Sequence, residues 1–160
     1  MNLLFLDIDG VLINARGCIA HDLHDIGQPS RATDVNFDPT SVKLLQRVCE
    51  ICDLKIFIHS TWWHDGIYDT EYFVAALEKY GWANAPVIGG IDVRGRKNRV
   101  NYGLLTFQPE RWIILDDACM KEEYGSNMLC INPMEGITFA DYAYILTYFG
   151  KADKIGCFFF

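Results

Sequence analysis

Four short runs of this chain are apolar at every position: "LLFL" at 3–6, "IFI" at 56–58, "WIIL" at 112–115 and "MLCI" at 128–131. A strand with one wet face alternates apolar and polar residues, whereas a strand covered on both faces does not. Such runs require something apolar on each side of the sheet they form. The stretches between them supply it. After Asp38, the residues Val42, Leu45, Val48, Cys49 and Cys52 recur at helical spacing. Asp38 is suited to the N-cap and Pro39 to the first helical position. The pattern predicts strands over 2–7, 54–59, 111–117 and 127–132, with a short one in "APVIGG". It predicts helices from Asp38 to Asp53, over 70–81 with Gly81 as the stop, over 97–107 and over 138–150. In the 97–107 helix Val100, Leu104 and Phe107 set the period, and Gly103 weakens it. Strands that alternate with helices and stay apolar throughout imply an α/β chain. The expected form is a Rossmann-like three-layer sandwich around a central parallel sheet. The segment 14–37 is polar, holds no sustained period, and reads as a long loop or flap. The terminal "KIGCFFF" reads as an edge strand or a packed tail.

The 160 residues suit one domain spanning 1–160, and 51% hydrophobic with 14% aromatic content is that of a folded chain. A net charge of −7 argues against a generic nucleic-acid binder, although Arg94, Arg96, Lys97 and Arg99 form a local basic cluster. No apolar run approaches the roughly 20 residues of a membrane span. Met1 leads straight into the first strand with no export signal, so the expectation is a cytoplasmic protein with six reduced cysteines. Cys49 and Cys52 form a C-x-x-C without a second pair to complete a zinc site. Both lie on the helix's apolar stripe, which favours core packing.

What the strands end in is less ordinary. The first runs into Asp7, Asp9 and Gly10, the second into Ser60 and Thr61, and the 112–115 run into Asp116 and Asp117. One acid at a strand end is most often a turn or cap residue. Here acids recur at the ends of separate buried strands, and in a doubly wound sheet those ends meet in one crevice. Four carboxylates so gathered repel one another unless a cation neutralises them, and hard oxygen ligands favour magnesium shared with a phosphate. The D-x-D-G piece also matches a fragment of a calcium loop, but the rest of that loop is missing. Gly10 lets the backbone turn sharply, so that N–H groups approach an anion.

At these positions the chain resembles the haloacid dehalogenase (HAD) superfamily of phosphotransferases. "LFLDIDGVL" is similar to that family's first motif, "KIFIHST" to the second and "WIILDDAC" to the fourth, while "RGRKNR" loosely matches the third. The order of "DIDGVL", "FDP", "STW" and "ILDD" resembles small HAD domains of phage and bacterial proteins, including those associated with RNA repair, more than the superfamily at large. The likeness runs from about residue 3 to residue 149. It implies a magnesium-dependent phosphomonoester hydrolase that works through an aspartyl-phosphate. Asp7 would be the nucleophile, and Asp9 the general acid and base and, through its carbonyl, a metal ligand. Asp116 would hold the metal, with Asp117 as the second carboxylate. Ser60, or Thr61 in its place, would donate to the phosphate. Lys97 would neutralise it, with Arg94 competing for that role.

Of Trp62 and Trp63, one is expected to pack and the other, with Trp62 the candidate, to stack on a substrate ring. His59 and His64 read as local hydrogen-bonding residues. His21 and His24, in the polar loop, are weaker candidates for substrate contact. The spans 10–37 and 62–94 leave room for only a minimal cap, so the site is expected to be open to a bulky substrate. A nucleotide, a polynucleotide phosphate end or a phosphoprotein would fit. Two other readings stay open: a receiver-like domain, and a degenerate HAD-like metal- or phosphate-binding domain serving as a partner subunit.

Overall fold

The apolar runs form a sheet of five strands, all parallel, in the order β3-β2-β1-β4-β5. A computed structural model describes residues 1–21 and 28–159, without the side chains of 157–159. The strands are β1 (Asn2–Leu6), β2 (Leu54–Ile58), β3 (Val87–Gly90), β4 (Arg111–Asp116) and β5 (Met128–Cys130). The register sets Phe5 between Phe57 and Ile114, and Leu4 between Ile56 and Ile113. Because successive side chains point to opposite faces, each strand feeds two cores. Leu4, Leu6, Ile56, Ile58, Ile113 and Leu115 enter the larger one, and Leu3, Phe5, Phe57, Ile114 and Met128 the smaller.

Helices α2 (Pro39–Cys52), α3 (Thr70–Glu78) and α6 (Phe139–Tyr148) contribute to the larger core. The smaller is covered by α4 (Arg96–Phe107) and the single turn α5 (Lys121–Tyr124). This is the α/β, Rossmann-like arrangement that the uninterrupted apolar runs require. The N-cap expected of Asp38 is present: its carboxylate accepts from the Thr40 and Ser41 N–H groups at 3.2 and 3.1 Å. Gly103, a weak residue for helix α4, has a packing reason. A Cβ there would stand 2.5 Å from the Phe5 ring, so its absence lets α4 lie close against the sheet.

Four features depart from expectation. The polar stretch after β1 carries a helix, α1 (Ala15–Ala20), and a 3-10 turn at Ala32–Asp34. Asn14 caps α1 by accepting from the Gly17 N–H, a local signal hidden by the absence of an apolar period. The tail forms a 3-10 helix at Ala152–Phe159; of the two expectations the edge strand is not formed, and Ile155 packs against the larger core as a packed tail would. Helix α4 starts at Arg96, one residue before its expected start. The cysteines are not all thiols either: Cys119, just past β4, is disulfide-bonded to Cys130, the last residue of β5. The two lie 11 apart in sequence, and adjacent parallel strands bring their Cα atoms to 5.0 Å. Cys49 and Cys52 are free and buried, as core packing requires. Among the described residues, no helix is long and apolar enough to cross a membrane.

Candidate active site

β1 and β4 are neighbours at the centre of the sheet, and the chain runs outward from them in opposite directions. This is the switch point where an α/β sheet opens a crevice beyond its carboxyl ends. Asp7 follows β1, and its N–H donates to the Leu115 carbonyl at 3.0 Å. Asp116 ends β4. These two side chains are nearly or wholly buried, while Asp117 is partly exposed. Asp7, Asp116 and Asp117 each offer a carboxylate oxygen, all within 4.8 Å of one another. Three hard, anionic oxygens at that separation suit a divalent cation such as magnesium.

The chain then doubles back. The Ile8 carbonyl accepts from the N–H groups of Val11, Leu12 and Ile13, at 3.2, 2.9 and 3.0 Å. Gly10 makes this possible with a φ of 75°, and a Cβ at that position would lie 2.5 Å from the Asp117 carboxyl carbon. Any side chain at residue 10 would therefore push Asp117 out of the cluster. Asp9 stands outside the three-acid cluster and is held separately. Trp62 Nε1 donates to its two oxygens at 3.1 and 3.0 Å.

Among the described residues, one guanidinium bonds the acids directly. Arg96 Nη2 donates to Asp7 Oδ2 at 3.2 Å, Arg96 Nε donates to Asp116 Oδ2 at 2.9 Å, and Asp117 Oδ1 is 3.9 Å away. The environment moves proton affinities accordingly. Burial, followed by the charge of Asp7, raises Asp116 above the usual carboxylate range, against the Ala118 N–H and Arg96. Asp9 is exposed at the mouth, but partial burial of its carboxyl raises it more than the Trp62 bond lowers it, and the charges of Asp7 and Asp117 add to the rise. Arg96 is raised: burial opposes it, but Asp116 and Asp7 outweigh burial. Burial lowers His59.

Residues 3–142 match the model of the HAD domain in Swiss Army Knife RNA repair proteins. This chain belongs to that HAD family. No curated protein and no solved structure matches it.

Within this HAD domain the expected residues divide. Asp7, Asp9, Gly10, Asp116 and Asp117 meet at one mouth. Ser60 is buried just past β2, its Oγ accepting from the Trp62 N–H at 3.3 Å, while Thr61 is exposed. Lys97 does not reach the acids. Its ammonium pairs with Glu123 on α5, and Arg96 takes the place expected of it. Arg94 is exposed, and its carbonyl accepts from Asn98. The helical period explains the substitution: Arg96, Val100, Gly103 and Phe107 share the face of α4 toward the sheet, and Lys97 is turned about 100° away. Starting the helix one residue late hid Arg96, although it stands in the basic cluster.

Of the tryptophans, Trp63 packs as one of the pair was expected to, stacked on Phe73 with ring centroids 6.0 Å apart, while Trp62, the candidate for a substrate ring, is buried too and donates to Asp9. His21 faces the Phe37 carbonyl at 3.2 Å, and exposed His64 lies 3.9 Å from Asp92. His24 lies outside the described residues.

Proposed function

We propose that this HAD domain is a magnesium-dependent phosphomonoester hydrolase whose nucleophile is Asp7. The observation that carries the reading is the convergence of Asp7, Asp116 and Asp117 oxygens within 4.8 Å, with Asp9 held apart from them by Trp62. Two carboxylates serve chemistry best when their environments differ, one ionised to attack and one keeping a proton to give. Arg96 bonds Asp7 at one oxygen and Asp116 as well, which orients the attacking carboxylate. The raised Asp9 retains its proton more readily.

A carboxylate oxygen of Asp7 attacks phosphorus in line, and the bond to the ester oxygen breaks. Asp9 gives its proton to that leaving oxygen. The aspartyl-phosphate is then hydrolysed by water, which Asp9 deprotonates, restoring both groups. Arg96 neutralises the phosphoryl oxygens as well as Asp7. The Ser60 hydroxyl accepts from Trp62 N–H, which leaves its own proton to donate to a phosphoryl oxygen. Asp7, Asp116, Asp117 and the Asp9 carbonyl are the groups that would hold magnesium, which supplies charge neutralisation and orients the phosphate. Lys97, Thr61 and Arg94 fall to the rim.

The substrate reading is a phosphate at the end of a nucleic acid. The family is described from RNA repair proteins. Among the described residues the span between β1 and α2 holds α1 and one 3-10 turn, with no folded cap of its own. A net charge of −7 favours grip on one terminal phosphate over a track of backbone contacts. The test is hydrolysis of p-nitrophenyl phosphate with and without magnesium, followed by 3′- and 5′-phosphorylated oligonucleotides, nucleotides and phosphopeptides. Magnesium-dependent turnover that Asp7→Asn abolishes is expected. Equal turnover by the folded Asp7→Asn variant would overturn the assignment of the nucleophile, and a preference for phosphopeptides would overturn the substrate class.

A further inference from the structure

One side chain beneath the site has no part in the chemistry above, and its placement is costly. His59 is the first residue after β2 and has no solvent exposure. Neither Nδ1 nor Nε2 makes a well-formed hydrogen bond, the Leu115 backbone offering the ring only a marginal one. Buried polar atoms are nearly always paired, so an imidazole this poorly satisfied calls for a reason. Its backbone is fixed on both sides: the N–H donates to the Leu6 carbonyl at 3.0 Å, and the carbonyl accepts from Arg99 Nη1 at 3.1 Å. The ring stands edge-on to Phe5 with centroids 6.4 Å apart. That wall leaves Nε2 aimed at Asp116 Oδ2, 3.7 Å away, with the Leu115 backbone facing the ring as well.

Asp116 is thus flanked from two directions. On the open side Arg96 bonds it, sharing itself with Asp7. On the sealed side His59 Nε2 stands 3.7 Å from its Oδ2. Groups in this second position fix the orientation of a metal-binding carboxylate. An apolar residue would fill the space beside Phe5 without an unpaired nitrogen, and packing alone would favour it. We propose that His59 is a positioning residue, whose Nε2–H stands behind Asp116 and holds its carboxylate in the orientation that receives the divalent cation. The inference rests on the proposed metal reading of the site.

Calorimetric titration of magnesium into the full chain tests it, with thermal melting of each variant as control. His59→Leu keeps the bulk and removes the donor. It is expected to weaken magnesium binding about 10–100-fold, while the melting temperature of the metal-free protein holds or rises. Turnover should recover at saturating magnesium. His59→Gln, which keeps an N–H of similar reach, should restore affinity to within a few-fold. Should His59→Leu fail to fold, His59→Asn, polar but too short to reach Asp116, carries the same expectation. Wild-type affinity in His59→Leu, or in His59→Asn where that variant stands in, overturns this inference alone. A wild-type chain that takes up no magnesium overturns it together with the metal reading.

Discussion

Asp38 and Asp116 are both buried carboxylates of one chain, and their surroundings treat them in opposite ways. Asp38 is saturated. It accepts from the Thr40 and Ser41 N–H groups, from Ser41 Oγ at 2.7 Å, from Asn14 Nδ2 at 3.2 Å and from Arg16. Burial alone would raise its proton affinity, but the bonds from Arg16, Ser41 and Asn14 outweigh burial and leave it lowered. Asp116 accepts one N–H, from Ala118 at 2.8 Å, and has a part share in Arg96; its proton affinity is raised. The polypeptide completes the first carboxylate itself and leaves the second short of positive charge. A saturated acid is a structural tie. An unsaturated one beside two others is a place made for something that is not protein.

The tie at Asp38 joins distant segments. Ser41 Oγ accepts from the Ile137 N–H at 3.0 Å, and Arg16 Nη2 donates to the Ile137 carbonyl at 3.3 Å. The sharpest contrast is therefore between Asp7→Asn and Asp38→Asn. The first should lower phosphatase turnover by at least about 10³-fold and leave the melting temperature nearly unchanged. The second should keep turnover per folded molecule and destabilise by about 2–4 kcal/mol, through the lost cap and the unpaired groups left behind. A crossover, with Asp38→Asn inactive while fully stable, would end the comparison.

The next effect concerns which basic residue serves the unsaturated acids. Arg96→Ala should cost about 10²-fold in turnover, the scale for removing one preorganised donor from a developing charge. Lys97→Ala, which breaks only a pair with Glu123, should stay within about twofold. Steady-state kinetics at saturating magnesium separates the two.

This pair also marks where sequence reading stops. The sheet was legible because a run such as "WIIL" has no polar face, and burial on both sides leaves few architectures. The acids were legible because Asp7, Asp9, Asp116 and Asp117 each follow such a run. Arg96 was not, because a helix expected to start at Lys97 leaves Arg96 outside it, although Arg96 lies one turn before Val100 on the inward face. Trp62 was read as a ring for stacking because sequence carries no record of which atom of a tryptophan finds a partner. Its bond to Asp9 spans 53 positions. The Cys119–Cys130 disulfide escaped for the same reason: β4 and β5 had to be paired before those cysteines could be neighbours.

Smaller than the kinetic effects is the response to magnesium itself. At about a hundredfold excess over its dissociation constant, a ligand that binds only the folded state stabilises by roughly 2.7 kcal/mol. The wild type and Asp38→Asn should both gain that increment in chemical denaturation, and Asp116→Asn should lose most of it. An equal gain in all three would mean that magnesium binds elsewhere.

The last contrast is the response to acid, and there the two carboxylates have opposite signs. Asp38 has a folded-state proton affinity below the ordinary value of 3.8, so the unfolded chain binds the proton first as pH falls. Its contribution is complete above 3.8 and is lost as pH drops through the lower folded-state value. Asp116 is raised, so the folded chain binds its proton first. Its contribution is complete below 3.8 and declines as pH rises through the raised value. His59, lowered from 6.5 by burial, works against Asp116 in the interval between 3.8 and 6.5, because there the unfolded chain takes up the histidine proton. Urea denaturation in metal-free buffer should therefore show Asp116→Asn gaining stability with pH more steeply than the wild type across that interval. Asp38→Asn should instead flatten the fall below pH 3.8. If Asp116→Asn left the slope of the wild type unchanged, Asp116 would be as well satisfied by the protein as Asp38, and the distinction between a finished carboxylate and an unfinished one would not hold.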